Sequence, residues 1–419
     1  MKIINCFVLS AFVLMGSTLC FAEEFPADDA SFEQGFDADK GITEEQKKES
    51  LKDKTEIGGS VFSDFYYSMY SDKNFNSNIF TNTNLGYVYL DSKLPEDVRF
   101  FLKGKITYIP TAEGEFSTIT GTVSEKLAAD LDEAKIIFNA YNRVFFTVGK
   151  QKVKYGASKF WNPTDFLNQT MKNPFYDYDR RTGLPLVKIQ VPIGSSNFYL
   201  IGDLDGANNI DQISYVVRYE LPLEASELSI SARAKKDSAT KLGLDFSTAV
   251  YALDVYGEAG ISKGSDKVFY NSAGTAYMNT KKTFWDVSGG VSYEMPFLDA
   301  DSITFSLEYY YNGEGYKDPS MYPVLWLKNA YMPLNTGKQY AMFMVYAPNP
   351  GSWNHINLSM FNIMNLIDSS AITRAELMYL FTKDLSIGFN VTGHYGKDTG
   401  EFRLYGQLID LGVRFELNF

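Results

Sequence analysis

The last nine residues of the chain, LGVRFELNF at positions 411–419, place an apolar side chain at every second position and end on an aromatic residue. Successive side chains of a β-strand point to opposite faces, so this stretch predicts a strand with one apolar and one polar face. In a soluble protein, such a terminal strand would leave an apolar row on an unprotected sheet edge. In the wall of a membrane barrel the same row would face lipid. The stretch therefore favours a transmembrane barrel.

The same two-residue period recurs in short stretches from residue 57 onward, without convincing helical periodicity. One example is ITFSLEYYY at residues 303–311, with Thr304, Ser306 and Glu308 on its polar face. The stretches run to about ten residues, the length of a tilted membrane-crossing strand, and Tyr and Phe recur near their ends as interfacial residues do. A soluble β-sandwich is the alternative architecture, but the many charges on the polar faces favour a barrel with a wet interior.

The connections between these stretches alternate in length, as expected of a barrel with short turns at one end and longer outer loops at the other. Short links are predicted at residues 95–97, 141–142, 194–196, 222–225, 247–248, 296–300 and 383–384. Longer links are predicted at residues 110–130, 155–182, 203–211, 262–282 and 314–337. The pattern predicts an all-β fold over residues 57–419: a transmembrane antiparallel β-barrel of about 18 strands, with 16 as the alternative.

The composition excludes several classes of protein. The 419-residue chain is too polar overall for a bundle of membrane-spanning helices. A net charge of −12 argues against nucleic-acid binding, and two histidines argue against a His-rich metal enzyme. Because no activated nucleophile is recognisable, we expect no enzyme activity, no catalytic residue, no bound metal and no cofactor.

The N-terminus has the features of an export signal. Lys2, an apolar run over residues 3–15 and the small residue Ala22 predict a secretory signal peptide at residues 1–22. Both cysteines of the chain lie within it, so the exported protein would contain no disulfide. Residues 23–56 are acidic and poor in large apolar side chains, which predicts a tail that is either solvated in the periplasm or plugs the barrel.

A motif of functional interest lies along the fifth predicted strand and the loop that follows it. The stretch GKQKVKYG at residues 149–156 is followed by NPTDFLN at residues 162–168. These residues resemble the pattern G-[KR]-Q-x-x-x-[YW]-G…N-P-x-D-x-x-N of alginate-export-like and related uncharacterised outer-membrane porins. The resemblance implies a barrel passage for solutes, with saccharides and other anions as candidates.

Residues 155–182 form the third outer loop by this strand count. In general porins the third loop folds inward and narrows the channel, and a long loop in a compact fold is usually functional. The alternative is an ordinary surface loop whose aromatic residues pack the barrel mouth. The candidate constriction residues are Lys154, Lys159, Trp161, Asp165, Arg180 and Arg181.

Charges on the predicted lumen face are segregated, with the ambiguous fifth strand left aside. Strands three to nine present Arg99, Lys103, Lys105, Lys135, Lys188, Arg218, Arg233 and Lys235, with few acids. Strands eleven to thirteen present Asp254, Glu258, Asp286, Glu294 and Glu308, with no base. Ladders of like charge set ion preference in channels. The alternative is that these charges pair across the wall and fill the interior.

Together these features predict an outer-membrane porin for passive or weakly selective passage of small hydrophilic solutes, in a Gram-negative-type envelope. The alternative function is a surface-exposed adhesin or structural barrel with a closed lumen. Expected partners are solutes or ions, outer-membrane lipid and the barrel-assembly machinery, with no nucleic acid and with a homo-oligomer left open. The assembly signal would be Phe419, because the final strand resembles the closing strand of bacterial outer-membrane barrels, whose last Phe marks the chain for assembly.

Overall fold

The computed structural model describes residues 55–71, 78–111, 116–118, 121–123, 126–167, 183–297, 301–351, 353–404 and 406–419. The predicted signal peptide and all but the last two residues of the predicted acidic tail lie outside these ranges, so both stay predictions. The first strand begins at Thr55, two residues before the predicted start of the barrel.

Eighteen strands form one antiparallel sheet, and we label them β1 to β18 in chain order. They are Thr55–Tyr70, Ile79–Leu94, Val98–Tyr108, Leu127–Ala140, Val144–Gln151, Leu184–Ile193, Ser196–Asp203, Ser214–Leu223, Ser226–Ala234, Thr240–Val250, Leu253–Lys263, Thr283–Phe297, Asp301–Tyr311, Gln339–Pro348, Ile356–Asn365, Ser370–Leu380, Leu385–Tyr395 and Gln407–Asn418. Each strand pairs with the next, and β18 pairs back with β1, where Arg414 lies opposite Asp64. The predicted barrel of 18 strands is confirmed, and the alternative of 16 is wrong. Closure leaves no unpaired edge, which hydrocarbon could not satisfy.

Polar and apolar side chains are distributed in the reverse of the order found in a soluble protein. On β13, Leu307 is 53% exposed whereas the next residue, Glu308, is fully buried. On β17, Phe389 is 50% exposed whereas Asn390 is 3% exposed. The apolar faces therefore form the outside of the wall and the polar faces line the inside, as the sequence pattern predicted.

The connections follow the predicted alternation, with three differences, one of which is the link at residues 349–355, which is longer than the other turns of the short-turn end. The turn predicted at residues 247–248 is wrong, because β10 continues to Val250 and the turn lies at residues 251–252. Thr248 is a ladder residue whose hydroxyl bonds that of Ser226 at 2.7 Å, and Ser and Thr suit strands and turns alike. The loops at residues 235–239 and 366–369, on the long-loop end, are as short as the turns on the short-turn end.

The long-loop end carries further secondary structure. One small hairpin joins Phe116–Thr118 to Gly121–Val123, and a second joins Val268–Tyr270 to Ala276–Met278. Helix α1, Met321–Leu327, lies between β13 and β14. Across the parts of the chain that the structure describes, no helix has the length and apolarity needed to cross a membrane.

Candidate functional site

The loop after β5 turns into the barrel interior. Of this loop, residues 152–183, the structure describes residues 152–167 and Gly183, and we call residues 152–167 the inward segment. Val153 and Leu167, at the two ends of the inward segment, pack in a buried apolar cluster with the interior side chains of β6 to β8. Its middle reaches β13 and β14, where Trp161 joins a second buried cluster. The segment therefore lies along the inner wall over about half of the strands.

A buried carboxylate on β13, Glu308, holds the tip of the inward segment. The backbone N–H groups of Lys159, Phe160 and Trp161 donate to it at 3.0, 3.2 and 2.7 Å. The hydroxyl of Tyr256 on β11 donates to the same carboxylate at 3.1 Å. Four donors satisfy the buried group and fix the orientation of three consecutive peptide units.

A second buried carboxylate, Glu258 on β11, holds both sides of the tip. The backbone N–H groups of Ser158 and Thr164 donate to it at 2.6 and 3.1 Å. The hydroxyl of Thr164 and the side-chain amide of Asn162 add bonds of 2.8 and 2.9 Å. Gly156 lies beside this carboxylate with φ +102°, and a Cβ there would lie 2.5 Å from an oxygen of Glu258, so the position requires glycine.

Aromatic packing completes the attachment of the segment. The ring of Trp161 is 2% exposed and stacks on Tyr310 and Tyr340, with centroids 5.3 and 5.7 Å apart. Its indole N–H donates to the carbonyl oxygen of Leu334 at 3.3 Å. Stacked rings add to the free energy of burying their area, so Trp161 is the main apolar anchor of the segment.

Two wall glycines allow the segment to approach the sheet backbone. A Cβ at Gly260 of β11 would lie 2.8 Å from the carbonyl oxygen of Pro163. A Cβ at Gly243 of β10 would lie 3.0 Å from side-chain atoms of both Thr164 and Phe166. Larger residues at these positions would push the segment away from the wall.

The structure separates the predicted constriction residues into two groups. Lys154 and Lys159 are exposed, whereas Trp161 and Asp165 are buried. The buried pair therefore anchors the segment and does not face open water. The predicted Arg180 and Arg181 lie outside the described residues.

A cavity of about 440 Å³ lies between the inward segment and the short-turn ends of β8 to β11. Its lining includes Lys159 of the segment, Glu227 of β9 and Asp254 of β11. None of these three forms an ion pair with another described residue. This part of the lumen therefore presents unpaired charges of both signs.

Several of the bases predicted on strands three to nine pair with acids of the same or a neighbouring strand. Asp91 pairs with Arg99, whose Nε donates to it at 2.8 Å. Asp132 lies 3.9 Å from Lys103, and Glu133 lies 3.3 Å from Lys135. The predicted alternative, in which charges pair across the wall, describes these residues better.

A β-bulge on β4 explains why Asp132 and Glu133 do not follow the alternation rule. Lys103 lies opposite Glu133 and Gly104 lies opposite Leu131, which leaves Asp132 as an extra residue on β4. Asp132 and Glu133 are consequently both buried on the inner side of the wall. The ammonium of Lys152, where the inward segment begins, lies 2.9 Å from Asp132.

The remaining predicted bases show the same tendency to pair. Arg218 makes a two-bond pair with Asp245 at 2.8 and 2.9 Å, and Arg233 lies 3.3 Å from Asp266. Lys188 is buried on β6. Lys105 and Lys235 are half-buried and form no ion pair among the described residues.

The predicted acids differ in what they do. Glu258 and Glu308 bind the inward segment, and Asp286 accepts the backbone N–H of Gly313 at 2.8 Å. Asp254 and Glu294 are exposed near the short-turn end. No group of three or more metal-ligating side chains occurs among the described residues.

Three buried pairs of polar side chains on β16 to β18 and β1 were not predicted from the sequence. They are Arg414 with Asp64 at 2.7 Å, Arg374 with Glu376 at 2.7 Å, and His394 with Asp410 at 2.9 Å. Arg414 and His394 lie on polar strand faces that the alternation identifies. The same rule that predicted the other lumen charges therefore also applies to β17 and β18.

Comparisons with known proteins place this barrel among outer-membrane porins of known structure. Acinetobacter baumannii OccAB1 superposes with a TM-score of 0.55 at 11% identity, covering 87% of this chain and 96% of that one. Pseudomonas aeruginosa OccK8 (OprE) gives 0.54 at 10% identity, with 87% and 98% covered. Pseudomonas aeruginosa OpdK with vanillate gives 0.56 at 8% identity, with 87% and 98% covered. No family model and no curated protein matches the sequence.

The chain therefore has the fold of outer-membrane β-barrel porins. At these identities the likeness concerns the fold alone. The neighbours are Occ and Opd porins, so the narrower resemblance to alginate-export-like porins finds no support.

Proposed function

We propose that the protein is an outer-membrane channel in which the inward segment narrows the passage for small hydrophilic solutes. The observation that supports this most directly is the attachment of the segment by Glu258 and Glu308 to the inner wall. A barrel of 18 strands is too wide for wall side chains alone to fill. A fixed loop inside such a barrel narrows the water path.

The open route past the segment would follow β2 to β5. Among the described residues, the contacts of the inward segment beyond Lys152 lie on the β6 to β14 side of the wall, and β2 to β5 face it from the other side. On the open side, the six bases Lys93, Arg99, Lys103, Lys105, Lys135 and Lys152 outnumber the four acids Asp91, Asp130, Asp132 and Glu133. The excess of positive charge favours a weak preference for anions. The vanillate in the OpdK structure is a carboxylate, which makes small organic anions suitable probes.

A planar-bilayer recording tests the proposal. We expect stepwise conductance. In a salt gradient, the reversal potential of Lys103→Glu/Lys105→Glu should shift in the direction that indicates a higher permeability for cations relative to anions. The matched control, Lys281→Glu/Lys317→Glu, changes the same charge on exposed loops and should shift the potential less. Equal shifts would remove the open side of the lumen from the mechanism. A correctly inserted but silent barrel would support the adhesin alternative.

Export by the predicted signal peptide, recognition of Phe419 by the barrel-assembly machinery, and a homo-oligomeric state remain parts of the proposal. A signal peptide agrees with an outer-membrane barrel, because such a chain must first cross the inner membrane.

A further inference from the structure

A buried carboxylate in the loop between β17 and β18, residues 396–406, connects three separate parts of the long-loop end. Glu401 is 1% exposed. The hydroxyl of Tyr340 on β14 lies 2.9 and 2.7 Å from its two oxygens. The side-chain amide of Asn365 at the end of β15 donates at 2.5 Å, and the backbone N–H of Leu334 donates at 2.7 Å.

The same contacts lead directly to the inward segment. Leu334 gives its N–H to Glu401 and accepts the indole N–H of Trp161 on its carbonyl oxygen at 3.3 Å. The hydroxyl of Tyr340 donates to Glu401, and the ring of Tyr340 stacks on that of Trp161. The neighbouring Phe402 belongs to the same buried cluster as Trp161. Two independent bridges therefore run from Glu401 to the main anchor of the segment.

We propose that Glu401 is a positioning residue for the constriction, acting through Leu334 and Tyr340 on Trp161. This inference rests on the proposed channel function. When the three donors Leu334, Tyr340 and Asn365 stay bonded to Glu401, Leu334 and the Tyr340 ring are held where Trp161 can dock. When these bonds are lost, the tip of the inward segment keeps its bonds to Glu308 and the stacking of Trp161 on Tyr310, but Leu334 and the Tyr340 ring no longer hold the indole in place.

The surroundings of Glu401 make its protonation state depend on pH, so the positioning role predicts a pH-dependent conductance that a purely structural role would not produce. Titratable or charged groups from the packed elements are Asp368, which accepts the Glu401 N–H, together with Tyr322, Tyr331, Tyr340, Lys267 and His394. Burial raises the pKa of Glu401 from 4.5 to about 7, against the hydrogen bonds from Tyr340 and Asn365 that lower it. The tight arrangement is therefore most stable at low pH and loosens as the pH rises toward about 7.

The test is the pH profile of single-channel conductance for the full chain in planar bilayers. In the wild type we expect fluctuations to larger conductance to become more frequent between about pH 4.5 and about pH 7, by up to roughly two orders of magnitude in the ratio of the two states. In Glu401→Gln this step should become smaller, because the amide does not titrate and turns a donor toward Asn365, whereas the carboxylates Glu258 and Glu308 that hold the segment are unchanged. The matched control is Asp398→Asn, which removes an exposed charge that pairs with Arg403 in the same loop and should keep the step.

A second variant guards against loss of folding. Tyr340→Phe keeps the ring that stacks on Trp161 and removes only the hydroxyl. The variant should still fold into a barrel, which migrates faster on a gel when it is not heated. Its change of conductance with pH should be smaller than in the wild type. Profiles of Glu401→Gln and Asp398→Asn that match the wild type in a conducting channel would overturn the positioning role. Absence of conductance in the wild type would instead overturn the proposed channel function.

Discussion

The backbone N–H of Trp161 donates to Oε1 of Glu308 at 2.7 Å, although the two residues are 147 positions apart in the sequence. Inside the barrel, the bond joins the third loop of the long-loop end to β13, the eighth strand after that loop. Together with the neighbouring bonds from Lys159 and Phe160, it uses one wall carboxylate to fix the tip of the inward segment. The width of the passage would thus depend on a strand residue and not on the loop sequence alone.

Glu308→Gln should widen the passage. The amide replaces one acceptor oxygen by a donor, which leaves at least one of the three N–H groups at residues 159–161 facing an N–H group. An unsatisfied buried polar group costs about 1–3 kcal/mol, enough to raise the population of a detached tip by one to two orders of magnitude. We expect larger mean conductance and more frequent fluctuations in planar bilayers.

Glu96→Gln is the control for this variant. Glu96 lies in the exposed turn between β2 and β3 and makes no hydrogen bond that involves another described residue. It undergoes the same change of side chain and charge without touching the segment, so its conductance should match the wild type. Equal effects in the two variants would show that overall charge, not attachment of the tip, controls the conductance.

The sequence was sufficient to predict the wall of the barrel. Each strand residue faces either lipid or the interior, and the local alternation of apolar and polar residues along the strand determines which. Leu307 and Glu308 follow the rule, as do Phe389 and Asn390. The same locality explains the failure at β4, where the bulge at Asp132 shifts the period by one residue and places two consecutive acids inside.

The attachment of the inward segment could be predicted only in part. The alternation identifies Glu258 and Glu308 as lumen charges, but their partners in the inward segment lie 94 to 149 positions away, and nothing in the local pattern identifies a backbone N–H as a partner. Glu401 lies outside any strand, so the alternation rule does not apply to it. Trp161 was chosen as a constriction residue, yet its burial depends on Tyr310 and Tyr340, which only the closed barrel brings together.

The pair of Arg414 and Asp64 should be important for barrel closure. It joins β18 to β1 with an Nε–Oδ1 distance of 2.7 Å, and both side chains are almost completely buried. Removing one partner of a buried pair leaves an uncompensated charge, so Arg414→Met should lower the free energy of unfolding by about 3–5 kcal/mol. Urea titrations in detergent micelles would measure this loss.

The double variant Asp64→Leu/Arg414→Met tests the cause of that loss. Because no buried charge remains, it should recover much of the stability lost in Arg414→Met. A double variant as unstable as the single one would mean that packing of the long arginine side chain, and not its charge, closes the barrel.

The free energy of unfolding should fall as the pH rises through the range in which Glu401 titrates. A carboxyl group whose pKa is higher in the folded protein binds more protons folded than unfolded, so its contribution is complete below about pH 4.5 and is lost by about pH 7. A pKa difference of this size corresponds to up to about 3 kcal/mol. Unfolding measured at several pH values should show a slope that is reduced in Glu401→Gln and kept in Asp398→Asn. Equal slopes in all three proteins would assign the pH dependence to other groups.

Phe419→Ala should impair assembly without destabilising the finished barrel. The backbone of Phe419 pairs with Gly59 in both directions, at 2.9 and 2.7 Å, and these bonds do not need the side chain. The ring itself is 45% exposed on the outer face. We therefore expect several-fold less heat-modifiable barrel in outer-membrane fractions, while protein refolded in detergent unfolds at the wild-type urea concentration. The control is Phe389→Ala, which removes an equal ring from the outer face of β17, where it is 50% exposed. An equal loss of assembled barrel in this control would mean that lipid-facing area, and not recognition of the terminal aromatic residue, limits assembly.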